Sequence, residues 1–108
     1  EVAIGMAMPW AAVEILRQRL TRAAFDRSAL LAEVFTPDAA QEAGFFDEIV
    51  PAEQLHDRAR EVATRLATLD AKAHHVSKQQ TCTPMLATLA AASQRDDDEF
   101  RAAIAAPG

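Results

Sequence analysis

Residues 35–51 have the sequence Phe-Thr-Pro-Asp-Ala-Ala-Gln-Glu-Ala-Gly-Phe-Phe-Asp-Glu-Ile-Val-Pro, which contains both a start and a stop signal for one short helix. The Thr36 hydroxyl can cap free backbone N–H groups, and Pro37 is tolerated at the first helical position. Gly44 is a typical residue just beyond a helix end. The pattern therefore predicts a helix from residue 37 to residue 43.

Short apolar runs on either side of this helix predict two strands. The run after Gly44 alternates imperfectly and stops at Pro51, which favours a strand near residues 46–50. At the start of the chain, Val-Ala-Ile is followed by Gly5, which favours a strand near residues 2–5.

The remaining sequence is rich in Ala and Leu and shows helical periodicity. The strongest pattern follows Pro51, where apolar residues recur at steps of three and four: Leu55, Ala59, Val62, Leu66 and Leu69. Other helices are expected at about residues 10–20, 22–34 and 71–80, and a last one starts near Thr81 or Thr83 with Pro84. The last helix has a polar middle, so it either breaks there or projects into solvent. The chain is predicted to be mainly α-helical with one or two short strands.

Length and composition narrow the class of protein. A chain of 108 residues is enough for one small domain with a thin core. Its formal net charge of −5 disfavours nucleic acid and anionic membranes as partners. The single cysteine, Cys82, rules out an internal disulfide and fits a reducing compartment, so a cytoplasmic location is expected.

The order of these segments resembles the second half of the crotonase superfamily, the enoyl-CoA hydratase/isomerase family. Residues 35–51 resemble the family stretch in which a short helix ends in Gly and leads into a strand. Residues 1–5 resemble the Pro-Glu-aliphatic-Gly element before it, and residues 73–78 resemble a helix that ends in a Ser/Thr-Lys pair. The resemblance implies an α/β crotonase-like parent, a ββα spiral. Residues 1–51 would then be the end of the spiral core, and residues 52–108 a helical region of the trimerisation type.

The resemblance also implies site residues. Glu1 falls where hydratases keep one of two catalytic glutamates and where isomerases keep a proton-shuttling carboxylate. Lys78 and Phe100 match positions where the family places a Lys and a Phe near bound CoA, partly across a subunit boundary. The second hydratase glutamate and the two N–H groups of the oxyanion hole would lie upstream of Glu1.

Two functions are therefore open. The first is part of an enzyme that acts on acyl-CoA thioesters through an enolate, without a metal or redox cofactor, and that assembles as a trimer. This piece alone would be inactive, because each missing oxyanion donor contributes about 3–4 kcal/mol. The second is a non-catalytic helical oligomerisation module or a silent crotonase relative. Residues 5–12 favour the second, since they are bulky where hydratases have a Pro-Gly-rich turn.

Other candidate sites carry weaker signals. His74 and His75 are adjacent and diverge by about 100° on a helix, so no metal site is expected. The acidic run at residues 96–99 lacks the pattern of a calcium loop, and such runs are usually solvated. Cys82 has no paired base in the sequence. The large apolar side chains of the bulky segment are either core fillers or the lining of an acyl pocket: Met6, Met8 and Trp10.

Overall fold

The computed structural model describes residues 1–107, and this part of the chain forms five α-helices and two 3-10 turns. The 3-10 turns are Val2–Ile4 and Ala52–Gln54. The α-helices are α1 (Trp10–Arg19), α2 (Arg22–Ala29), α3 (Pro37–Ala43), α4 (Leu55–Leu66) and α5 (Ala71–Ala105). The prediction of a mainly helical chain is therefore confirmed.

A small apolar core forms where α1, α2 and α3 meet. Its buried members are Leu20, Ala24, Phe25, Ala29 and Ala43, and Val13, Leu16 and Phe35 pack against them. Three of the five buried members are alanines, whose small side chains let the ends of α1, α2 and α3 lie close together. The core is thin, as expected for a chain of this length.

The α3 helix has the predicted bounds, and its caps explain why. The Thr36 hydroxyl accepts a hydrogen bond from the Ala39 N–H, and Gly44 ends the helix with φ of 105°. The Ala43 carbonyl then accepts from the Thr21 N–H at 3.0 Å, which joins the end of α3 to the start of α2. Thr21 caps α2 in the same way, by accepting from the Ala24 N–H.

The two predicted strands do not form within residues 1–107. Residues 2–4 make a 3-10 turn, and the Gly5 N–H bonds back to the Val2 carbonyl at 3.1 Å. Residues 46–50 form a loop without a ladder partner. A strand requires a neighbour for its N–H and C=O groups, and short apolar runs alone do not supply one.

The second helix ends earlier than residue 34. Its last residue is Ala29, and Ala32 adopts a left-handed conformation with φ of 55°. The Glu33 N–H bonds back to the Arg27 carbonyl, and the two side chains form an ion pair at 3.1 Å. No Gly or Pro marks this end of the helix in the sequence. The apolar residues beyond Ala29 continue the helical spacing, and the predicted end at residue 34 was therefore wrong.

The α5 helix continues through Pro84, where two helices were predicted. Pro84 lacks an N–H, so the Gln80 carbonyl loses its helical donor. Gln80 is exposed, and water can hydrogen-bond to its carbonyl. The hydroxyls of Thr83 and Thr88 donate to the carbonyls of Gln79 and Pro84, so the helix carries extra side-chain bonds at this point.

The chain is elongated and covers little of its own apolar surface. Its radius of gyration is 18.1 Å, whereas a compact chain of this size has about 13 Å. Its accessible surface is 8507 Å², against about 5900 Å² for a folded monomer of its mass. The α4 helix has no buried residue although it has the strongest apolar stripe. Within residues 1–107, no helix combines the length and apolar character needed to cross a membrane.

Candidate functional site

Glu1 lies at the start of the first 3-10 turn with its side chain exposed. Its carbonyl accepts hydrogen bonds from the N–H groups of Ile4 and Met6, at 3.0 and 3.1 Å. Its carboxylate has no hydrogen-bond partner among the described residues. The turn therefore fixes the backbone of Glu1 and leaves its carboxylate exposed and without a partner within residues 1–107.

The start of α1 is held by the last helix. Pro9 precedes the helix and has no side chain that can cap it, yet the carboxylate of Asp96 accepts from the N–H groups of Trp10 and Ala11, at 2.7 and 2.9 Å. The Trp10 indole N–H donates to Glu99 at 3.0 Å. The Arg95 guanidinium lies 3.6 Å from the centre of the Trp10 ring and pairs with Glu99 at 3.4 Å.

These contacts change the interpretation of the acidic run at residues 96–99. The sequence predicted a solvated charge run in a helix that breaks or projects into solvent. The helix does not break, and two of the four carboxylates bind α1. Sequence periodicity could have raised this possibility, because residues 82, 85, 89, 92 and 96 recur at steps of three and four on one face of α5.

Lys78 and Phe100 are both exposed on α5 and do not lie together. They are 22 positions apart along one helix, about 33 Å at 1.5 Å per residue. Lys78 borders a shallow groove with His75, Gln79, Cys82 and Leu86. Phe100 is 66% exposed near the far end of α5. One chain cannot place both side chains on a single nucleotide.

A surface groove that the sequence analysis missed lies between α4 and the loop before it. Two charged residues, Glu48 and Arg58, contribute to its lining. The other lining side chains are apolar: Val50, Leu55, Ala59, Val62, Ala63 and Leu66. Arg58 donates to Glu48 at 2.8 Å and to Glu61 at 2.9 Å. These hydrogen bonds, first that to Glu48, raise the pKa of Arg58 above its ordinary value. Arg58 therefore joins the loop before α4 to the helix through its hydrogen bonds to Glu48 and Glu61.

The described residues contain no cluster of three or more His, Cys, Asp or Glu side chains placed to hold a metal ion. Cys82 is a partly buried free thiol. Its sulfur lies 3.8 Å from the Thr81 hydroxyl, which is not a base that could activate it. The chemistry available on this chain is therefore that of exposed carboxylates and amphipathic surfaces.

The family model of enoyl-CoA hydratase/isomerase matches residues 1–106. The chain belongs to this family, which is the crotonase superfamily that its sequence resembles. The match extends from Glu1 through α5 and includes all three residues that the resemblance singled out. A comparison with curated proteins found no match.

Solved structures agree with this assignment. An enoyl-CoA hydratase from Mycobacterium ulcerans is 40% identical, with a TM-score of 0.85, over 93% of this chain and 44% of that one. A ligand-free enoyl-CoA isomerase from Mycobacterium tuberculosis is also 40% identical, with a TM-score of 0.86 and the same coverage. An enoyl-CoA hydratase/isomerase family protein from Pseudomonas syringae is 41% identical, with a TM-score of 0.84, over 88% of this chain and 41% of that one.

The chain spans less than half the length of these proteins and matches the C-terminal region of longer parents. Its helices are therefore a mainly helical part of a crotonase fold. The neighbours include proteins named as hydratase and as isomerase at equal identity, so similarity does not separate the two reactions.

Proposed function

We propose that the full-length protein containing this chain acts on acyl-CoA thioesters, either by hydrating an α,β-unsaturated bond or by moving a double bond along the acyl chain. The observation that carries this proposal is the family match over residues 1–106, because it includes a carboxylate at position 1. In the structure that carboxylate is exposed on a hydrogen-bonded turn.

For hydration, a carboxylate at Glu1 takes a proton from water while the water oxygen bonds to C3 of the acyl chain. The electron pair of the C2=C3 bond moves onto the thioester carbonyl, and the resulting enolate takes up at C2 the proton that the Glu1 carboxyl gained from water, which restores the carboxylate. For isomerisation, the carboxylate removes a proton from C2 and returns it at C4. Both routes need N–H donors at the thioester oxygen, and these donors are expected upstream of Glu1.

Lys78 and Phe100 are proposed to bind CoA from different subunits. A cation beside the phosphates and a ring beside the adenine are chemically suited to this ligand. Their separation of about 33 Å on one helix is consistent with sharing between subunits, since two chains can bring the two ends of α5 to one nucleotide. The proposed assembly is a homotrimer formed through residues 52–108, in a cytoplasmic enzyme of fatty acid metabolism without a metal or redox cofactor.

A non-catalytic assembly module is the second candidate. The bulky segment at residues 5–12 favours it, because two Met side chains and a Trp stand where a hydratase has a turn open to substrate. The large exposed apolar surface of α4 and α5 also suits an oligomerisation role. In this case the protein would assemble without turning over acyl-CoA.

Activity of the full-length protein distinguishes the two candidates. Wild-type protein should consume crotonyl-CoA, or convert a 3-enoyl-CoA to its 2-enoyl isomer, with loss or gain of the conjugated-thioester absorbance. Glu1→Gln should lower kcat about 100-fold or more, since the base is lost. Glu53→Gln is the matched control and should keep wild-type kcat, because Glu53 is exposed and makes no hydrogen bond or ion pair with any of residues 1–107.

The isolated chain provides a second test. Residues 1–108 alone should show no measurable turnover, because the oxyanion donors are expected on the missing half. Robust turnover by this piece would contradict the assignment of those donors. Full-length protein that assembles but turns over neither substrate would favour the module.

A further inference from the structure

One turn of α5 contacts Trp10 on three sides. Asp96 accepts from its backbone N–H, Glu99 accepts from its indole N–H, and Arg95 stacks on its ring. The Arg95–Glu99 ion pair joins two of these three side chains to each other. We refer to Arg95, Asp96 and Glu99 as the α5 anchor.

The backbone contact of the anchor has a clear physical basis. The first N–H groups of a helix have no partner inside the helix and carry its positive dipole end. The Asp96 carboxylate uses one oxygen for the Trp10 N–H and the other for the Ala11 N–H. Charge-assisted bonds of this kind are stronger than neutral ones, and no residue preceding α1 supplies a cap.

The anchor also fixes the segment before α1. The segment consists of residues 6–9. It begins at Met6, whose N–H bonds to the Glu1 carbonyl, and it ends directly before Trp10. This short segment is therefore tied to the turn of Glu1 at one end and to α5 at the other. It carries Met6, which is exposed, and Met8, which is half-buried, so residues 1–107 do not fully cover either side chain.

We propose that the α5 anchor sets acyl-chain selectivity by holding Met6 and Met8 beside the reacting carbons that Glu1 serves. This inference rests on the proposed function. Asp96 is a positioning residue, because it touches neither substrate nor reacting atoms and acts through the segment of residues 6–9. Two firmly held Met side chains narrow the space for an acyl chain, and so favour a short 2-enoyl thioester of CoA over a long one.

The test uses the full-length protein with Asp96→Asn and, as a matched control, Asp97→Asn. The neighbouring Asp97 is exposed and makes no hydrogen bond or ion pair with any of residues 1–107. The measured quantity is the ratio of kcat/KM for decenoyl-CoA to kcat/KM for crotonyl-CoA. This ratio does not depend on the fraction of folded enzyme, so partial unfolding cannot imitate the effect.

In Asp96→Asn the ratio should rise about fivefold or more, because the loosened segment admits longer chains. The N–H groups of Trp10 and Ala11 should also exchange with solvent about tenfold faster. Asp97→Asn should match wild type in both measurements. A wild-type ratio in Asp96→Asn overturns the selectivity role, and unchanged exchange at Trp10 overturns the anchor itself. Wild-type protein that turns over neither thioester overturns the proposed function, and hydrogen exchange still tests the anchor in that case.

Discussion

The structure constrains the identity of Gly44 more tightly than that of Gly5. Its φ of 105° lies where residues with a Cβ are strained, and a Cβ built there would lie 2.6 Å from the Arg19 carbonyl oxygen. The close approach allows the end of α3 to pack against the end of α1, next to the buried Leu20 and Ala43. Glycine is therefore required here both for its backbone conformation and for lack of space.

Gly44→Ala should lower the free energy of unfolding of the full-length protein by about 1–3 kcal/mol from backbone strain, with the steric overlap adding to that cost. Gly5→Ala is the matched control. Gly5 also has positive φ, but nothing lies within 4 Å of its added Cβ, so the loss should be smaller, about 1 kcal/mol. Urea denaturation measures both values, and equal losses would show that packing at Gly44 contributes nothing.

Among the elements, α5 differs most from its sequence pattern. Pro84 and the polar middle both favoured an interruption, yet the helix runs from Ala71 to Ala105. Its exposed backbone near Pro84 allows water to replace the missing donor, and the packing of α1 on α5 fastens the polar part through Asp96. The local pattern places Asp96 on the same face of α5 as the apolar residues, but it could not identify α1 as the partner, because α1 lies more than 80 residues away in sequence.

Replacing Pro84 by Ala should make α5 more stable. The substitution restores an N–H donor to the Gln80 carbonyl and removes the ring from an exposed helical position, and should raise the free energy of unfolding by about 1–3 kcal/mol. Ser93→Ala, also exposed on α5, should gain only a few tenths of a kcal/mol. Thermal unfolding compares the two variants. Loss of stability in Pro84→Ala would instead show that a bend at Pro84 is needed to seat α1.

At the scale of the whole molecule, the accessible surface exceeds that of a compact monomer by roughly 2600 Å². Part of this accessible surface belongs to large apolar side chains on α4 and α5, including Leu66, Leu86, Phe100 and Ile104. Exposed large apolar side chains along two helices are typical of a chain that packs against other protein. The trimer that the family resemblance implies is the proposed assembly.

Self-association is therefore expected at micromolar concentration, with a trimer preferred. Leu86→Asp and Phe100→Asp should each dissociate the oligomer, since a charge would be buried in an apolar interface. Gln80→Asp, at an exposed polar position of α5, should leave assembly unchanged. Light scattering coupled to size exclusion gives the mass directly. A stable, well-folded monomer of wild-type protein would contradict this prediction.

The sequence by itself determined the features that depend on neighbours a few residues away. Thr36 and Gly44 specified both ends of α3, apolar spacing located α1 and α4, and the order of segments identified the family. The tertiary structure decided that the short apolar runs do not become strands within residues 1–107, that α2 ends at Ala29, and that Asp96 caps α1. These features depend on backbone donors and acceptors brought together from distant parts of the chain, and local propensity carries no information about such partners.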